Sequence, residues 1–238
     1  MILAPLTLVA VLAMPSGPMT DSLSLYIRAR ENEFESIPAE RKKELAALVE
    51  YVRDCRKAGR PIRLTFICTH NSRRSHLSQI WASTAAAHYG VENVRTFSGG
   101  TEATAFNHRA VAALRRAGFL VSEPLEVNNP KFQVRWHAAA EPMICYSKKY
   151  NEAPNPGTDF AAVMTCTQAD RACPIVQGAA ARITLPFDDP KAADGTSDEE
   201  RVYDERTAQI GREMLFVFSG GEEKAPVGAP PDLSRLPN

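Results

Sequence analysis

Leu64-Thr65-Phe66-Ile67-Cys68-Thr69-His70-Asn71-Ser72-Arg73-Arg74-Ser75 runs from an apolar strand into a cysteine and a short polar turn, then to an arginine and a serine that open a helix. Chemistry on a tetrahedral oxyanion needs those parts in that order. The strand delivers a thiol to a tight turn, the turn's backbone N–H groups form a nest for an anion, and the helix adds its positive end. Donors that hold an oxyanion also favour sulfur as the thiolate, its nucleophilic form. Arg74 closes the turn and can grip two substrate oxygens side by side, where a lysine would act as a point charge. A buried core cysteine at a strand end is the plainer reading of the same letters. The strand before and the helix after favour the anion site, with Thr69, His70, Asn71, Ser72, Arg73, Arg74 and Ser75 as its oxyanion-binding residues.

Outward from this stretch, strands and helices alternate. Strands are expected at residues 64–67, 94–98, 160–164 and 182–185, with helices at about 74–89, 106–117 and 198–218, the last capped by Ser197. That order predicts an α/β fold, a four-stranded parallel sheet with helices on both faces. Ligands of such sheets bind beyond the carboxyl ends of the strands, where Cys68, Cys166 and Asp189 all fall. Upstream, residues 22–34 are a mixed helical stretch. Residues 38–57 form a clear helix, with Leu45, Leu48, Val49, Val52 and Cys55 at helical spacing. The expected organisation is an N-terminal helical extension over 19–60 and a catalytic domain over 61–219, interrupted by an irregular excursion at 126–158. A proline- and glycine-rich disordered tail is expected over 220–238.

Residues 1–18 read as an apolar leader or as a start assigned too early, with Met14 or Met19 as the true first residue. The run is too short to span a bilayer, and the first positive residue is Arg28. A cytoplasmic protein is therefore expected, with the short apolar N-terminus leaving export open. Basic and acidic residues balance at 28 each, and no basic stripe carries interleaved aromatics, which speaks against nucleic acid. Five cysteines without even spacing argue against a secreted disulfide scaffold. The histidines show no metal-ligand spacing, and Gly99-Gly100 does not extend to a dinucleotide fingerprint, so neither metal nor cofactor is called for.

A second constellation lies downstream. Cys166 ends the strand at 160–164 and Cys173-Pro174 follows. If the intervening residues are helical, the two cysteines stand about 10.5 Å apart along the axis, beyond the roughly 7 Å Cα limit of a disulfide. Joining them requires unwinding, a poor design for a structural crosslink and a sensible one for a switch. Phe187-Asp188-Asp189-Pro190 follows the fourth strand; an aspartate fixed before proline can reach over the anion site and protonate a departing oxygen.

Together, Cys68…Arg74-Ser75, Ser98-Gly99-Gly100-Thr101-Glu102, Cys166…Cys173-Pro174 and Phe187-Asp188-Asp189-Pro190 resemble the thioredoxin-coupled arsenate reductases, which are built on the low-molecular-weight protein tyrosine phosphatase fold. The resemblance spans about residues 63–219, less the excursion. It implies that Cys68 attacks arsenate held by the loop amides, Arg74 and Ser75, that Asn71 pins the loop, and that Asp189 protonates the leaving hydroxide. It further implies that Cys166 attacks Cys68 to release arsenite, and that Cys173 takes over the disulfide for reduction by thioredoxin. A phosphatase of the same fold, hydrolysing phosphotyrosine or small phosphate esters with Cys68 and Asp189, is the alternative. The chain departs from the phosphatases at His76, where they carry proline, and at Lys191-Ala192, where they carry an aromatic pair. It also has Arg73 where they often have a second cysteine, and Gln79 where some arsenate reductases bind potassium through a glutamate.

Overall fold

The computed structural model describes residues 19–124 and 126–221. Thr20 caps the first helix, α1 (Asp21–Glu31), accepting from the Leu23 amide at 3.2 Å while its hydroxyl donates to the Gly118 carbonyl at 2.9 Å. A 3-10 turn (Phe34–Ser36) leads to α2 (Ala39–Lys57), which buries the stripe of Leu45, Leu48, Val49, Val52 and Cys55 that its spacing predicts. Then come β1 (Ile62–Cys68), α3 (Arg74–His88), β2 (Val94–Gly100), α4 (His108–Arg116), β3 (Leu120–Val121), β4 (Phe132–Arg135) and β5 (Met143–Cys145). The chain continues through β6 (Phe160–Met164), α5 (Thr167–Ala172) and β7 (Ala179–Thr184) to a 3-10 turn (Pro190–Ala193) and α6 (Glu199–Phe218).

The main sheet has the order β2-β1-β6-β7 with every pair parallel, as expected. Its two central strands place the chemistry. β1 and β6 pair Leu64 with Ala161 and Ile67 with Met164, so Cys68 and Thr165 leave the sheet side by side at one end. β6 is buried at all five positions, which is what a parallel strand covered on both faces requires. Leu64, Phe66, Ala161, Val163 and Ile183 point into a large core shared with α1, α2, α3, α4 and α6. Ile67, Ala162 and Met164 point the other way, into a small core with Cys68, Cys166 and Ala169 of α5. Helices therefore lie on both faces, but unequally.

The N-terminal helical extension expected over 19–60 is present. Leu23, Ile27, Leu45 and Leu48 of its two helices are fully buried in the large core. Three details elsewhere differ from expectation. The excursion at 126–158 is not irregular throughout, because β4 and β5 join β3 in a small antiparallel sheet. Strands of two to four residues are too short for a period-two pattern to register. The residue capping α6 is Asp198 rather than Ser197, and its side chain makes no capping bond; instead Glu199 in the first turn reaches back to the Gly195 amide at 2.6 Å. The fourth strand also starts earlier than expected, in an alanine run that carries no apolar pattern. Residues 1–18 and the tail beyond 221 lie outside the described residues.

Because α2 shares the main core, Leu48→Ala is expected to cost about 2–5 kcal/mol of stability. Urea unfolding followed by tryptophan fluorescence and circular dichroism should shift as one transition. A separate early transition in the circular dichroism signal alone would mean that the N-terminal helices fold independently.

Candidate active site

The turn after β1 is held open from outside. The Cys68 carbonyl accepts from the Thr101 amide (3.1 Å), and the Thr69 carbonyl from the Glu102 amide (2.8 Å) and the Thr101 hydroxyl (3.1 Å). The His70 carbonyl accepts from the hydroxyls of Ser147 (2.9 Å) and Thr104 (3.1 Å), and the Ser72 carbonyl from the Asn107 amide (2.9 Å). In a trans peptide the N–H points opposite to the C=O, so the amides of Thr69, His70, Asn71 and Arg73 face the hollow. The first-turn amides of α3 join them, since Arg73 at the cap position makes no side-chain cap bond. This close fit explains the two glycines ending β2. A Cβ at Gly100 would lie 2.7 Å from the Asn71 nitrogen and 2.2 Å from the Glu102 carbonyl oxygen, and one at Gly99 would lie 2.2 Å from the Tyr150 Cα.

Asn71 sits at φ +43°, a left-handed conformation that asparagine tolerates better than most residues. Its carboxamide is braced at both ends: Oδ1 accepts from the Lys148 amide at 2.9 Å, and Nδ2 donates to Ser75 Oγ at 2.9 Å. Having accepted that bond, the Ser75 hydroxyl keeps its own proton for Cys68 Sγ, 3.1 Å away. Asn71 and Ser75 are fully buried and Cys68 nearly so. The expected pinning role of Asn71 thus has a physical basis, in a relay that ends on the sulfur.

Asp189 lies over the turn in an arginine fork. Arg74 Nη2 reaches Oδ2 at 2.9 Å; Arg73 Nε reaches Oδ1 at 2.8 Å and its Nη2 reaches Oδ2 at 3.4 Å. The Lys191 amide donates to Oδ1 at 3.1 Å, and Arg74 Nη1 donates to the Phe187 carbonyl at 3.1 Å. Burial pushes the Asp189 carboxyl up, but Arg74, the Lys191 amide and Arg73 outweigh it and hold the group below the usual carboxylate range. The Arg73 side chain, expected among the oxyanion-binding groups, turns instead to Asp189. His70, also expected there, is a half-buried turn residue whose ring lies 3.8 Å from Glu102.

Cys166 lies across the strand gap from Cys68. Its sulfur caps α5, accepting from the Ala169 amide at 3.3 Å, and stands 3.4 Å from the hydroxyl of Thr69, the residue after Cys68. Cys173 is at the other end of α5, half-buried, so the condition weighed from sequence, a helix between the two cysteines, is met. Arg182 of β7 ties down that end. Its Nε donates to the Cys173 carbonyl at 3.1 Å, and its Nη2 to the Asp170 carbonyl at 2.7 Å and to Asp170 Oδ1 at 2.6 Å. All five cysteines are free thiols. Cys55 is core, and so is Cys145, whose thiol is pushed up to about 12 by burial, with Lys148 acting against it.

Sequence reasoning missed Ser147, Lys148 and Arg182. Ser147 and Lys148 act 77 positions away from the turn residues they brace, and Lys148 acts through its main chain, which leaves no side-chain signature. Among the described residues no helix is long and apolar enough to cross a membrane.

No family model matches the chain. The arsenate reductase of Bacillus licheniformis is 31% identical over 159 residues, covering 66% of this chain and 95% of that protein. The arsenate reductase of Bacillus subtilis is 27% identical over 158 residues, with the same two coverages of 66% and 95%. Among solved structures, an arsenate reductase from Archaeoglobus fulgidus is 15% identical with a TM-score of 0.43, covering 66% of this chain and 98% of that one. A low molecular weight phosphotyrosine phosphatase from Vibrio cholerae is 13% identical with a TM-score of 0.44, covering 67% and 95%.

Asn71→Ala would leave the buried Ser75 hydroxyl and Lys148 amide short of partners, at about 1–3 kcal/mol each. Thermal melting should fall, and inorganic phosphate measured by titration calorimetry should bind at least about tenfold more weakly. Unchanged phosphate affinity would remove Asn71 from the site. Arg182→Ala should speed alkylation of Cys173 by iodoacetamide, read by mass spectrometry, because the end of α5 is released; an unchanged rate would mean that Arg182 does not restrain it.

Proposed function

We propose that this chain, which belongs to the arsenate reductase family, reduces arsenate to arsenite through a relay of Cys68, Cys166 and Cys173 that a thioredoxin-type dithiol resets. One observation carries the reading: Cys68 and Cys166 leave adjacent central strands at the same end of the sheet and pack into one small cluster, against which Cys173 also rests. A hydrolase needs only the first of these sulfurs.

In the first step the Cys68 thiolate attacks arsenic, an oxygen departs as water, and a Cys68–arsenic(V) adduct forms. Arg74 and the inward amides hold the three remaining oxygens, a preorganised positive surround that stabilises the developing charge. The Cys166 thiolate then attacks the Cys68 sulfur. The S–S bond forms as the S–As bond breaks, and the bonding electron pair stays on arsenic, which leaves as arsenite in the +3 state. Thr69, in contact with Cys166, marks the path between the sulfurs. The Cys173 thiolate next attacks Cys166, moving the disulfide to Cys166–Cys173 and restoring Cys68 as a thiolate. Their separation across α5, about 10.5 Å of helical rise, exceeds disulfide reach, so the helix must unwind. Unwinding brings the half-buried end to the surface, where an external dithiol can exchange with it.

Hydrolysis of small phosphate esters is the second reading, because Cys68, Arg74 and Asp189 are also the parts of a cysteinyl-phosphate mechanism. Assays with a thioredoxin system separate the two. Cys166→Ser and Cys173→Ser should abolish arsenate turnover while sparing hydrolysis of a small aryl phosphate, and Cys68→Ser should abolish both. Peptide mapping after arsenate treatment should find a Cys68–Cys166 disulfide in Cys173→Ser and a Cys166–Cys173 disulfide in the parent. Parent-level arsenate turnover in both Cys166→Ser and Cys173→Ser would end the relay.

A further inference from the structure

Asp189 is held by two arginines that are not equivalent. Arg74 closes the anion turn, and a bound tetrahedral oxyanion recruits its guanidinium as a bidentate partner. Arg73 stands one residue earlier at the helix cap, its side chain nearly buried, with two N–H groups aimed at the carboxylate at 2.8 and 3.4 Å. When Arg74 turns to substrate, Arg73 and the Lys191 amide remain on Asp189. The other charges nearby are committed elsewhere. Asp188 is exposed and pairs with Arg206 of α6 at 3.3 Å, while Arg41 of α2 pairs with Glu213 at 2.8 Å and lies over the Phe187 ring. Tyr203 of α6 donates its hydroxyl to Asp194 at 2.8 Å.

We propose that Arg73 is a positioning residue that keeps Asp189 a carboxylate through the cycle, and that this makes the site select oxyanions bearing their own protons over phosphate monoesters. The inference rests on the reading of the Cys68 turn as an oxyanion site, and it reassigns the proton that the family resemblance drew from Asp189. The atoms close without that proton. Cys68–S⁻ plus H₂AsO₄⁻ gives Cys68–S–AsO₃²⁻ plus H₂O: the S–As bond forms, one As–O bond breaks, and the two protons already on the anion complete the water. Asp189 as a carboxylate accepts a hydrogen bond from an arsenate hydroxyl and orients it. A monoester dianion carries no proton, and its leaving alkoxide or phenoxide must obtain one from an acid. A carboxylate clamped by Arg73 does not supply it.

Phenyl phosphate, whose leaving group needs a proton, is the probe. Phosphate release is measured against pH for the parent, Arg73→Met, Arg73→Lys and the double variant Arg73→Met with Asp189→Asn. In the parent, kcat should already have fallen before neutral pH is reached. Removing one close positive partner should move that falling limb upward by about one pH unit, raising kcat at neutral pH about tenfold in Arg73→Met. Arg73→Lys should shift the limb less, in the same direction, and serves alone if Arg73→Met fails to fold. The double variant should lose the gain. A limb unmoved in the variants that fold, or a gain that survives Asp189→Asn, would overturn the proposal. No arsenate or reductant enters this assay, so a parent inactive toward arsenate would defeat the reductase reading while leaving this result to stand separately.

Discussion

The anion hollow exists because the carbonyls of its own turn are occupied elsewhere. A short turn offers as many C=O as N–H groups, and a nest forms only if the oxygens are drawn outward and kept there. Thr101, Glu102, Thr104, Asn107 and Ser147 do this, all from the segments that follow β2 and β5. Asn71 adds the left-handed kink, and its carboxamide converts a peptide N–H at Lys148 into a fixed Ser75 hydroxyl beside the sulfur. Weakening the outer ring would close the hollow without touching a residue that meets substrate. The stretch between β5 and β6, which lies outside the main sheet, is therefore part of the catalytic architecture.

Much of this was readable in advance, for identifiable reasons. The strand–cysteine–turn–arginine order and the parallel sheet each follow from local pattern and are found where the pattern put them, and the helix weighed as a condition between Cys166 and Cys173 is present. Contacts that depend on approach through space were not readable. The burial of α1 and α2 in the main core requires knowing that α6 returns across them. The braces from Ser147 and Lys148 come from a region whose strands are too short to announce themselves. Arg73 was visible as a charge in the turn, but not its aim, which only the position of the Asp189 loop reveals. Arg182 was visible only as the first residue of an expected strand, although it secures both Asp170 and Cys173.

The large core explains why the carboxyl end of the sheet can be exacting while α5 stays small. Trp81 of α3 stacks on Tyr26 of α1 at 5.6 Å and meets Phe119 edge-on at 5.0 Å, with Gly211 of α6 pressed against its ring. A side chain there would lie about 2.9 Å from the indole, so α3 is fixed at close range and the start of that helix, which carries Arg74 and Ser75, cannot drift. Among the described residues, the opposite face is covered by the six-residue helix α5. Packing is thus densest behind the turn proposed to grip an anion and thinnest over the segment proposed to move.

Cys166 has two occupations that cannot be held at once. As a free thiol it terminates α5 by accepting the Ala169 amide. In the proposed relay, a Cys166 sulfur turned toward Cys68 withdraws that acceptor, and the short helix loses its anchor as Cys173 is called on to travel. On that proposal the first exchange unlocks the second with no separate trigger: an interlock in which premature closure of the outer pair is opposed by the thiol that has not yet reacted.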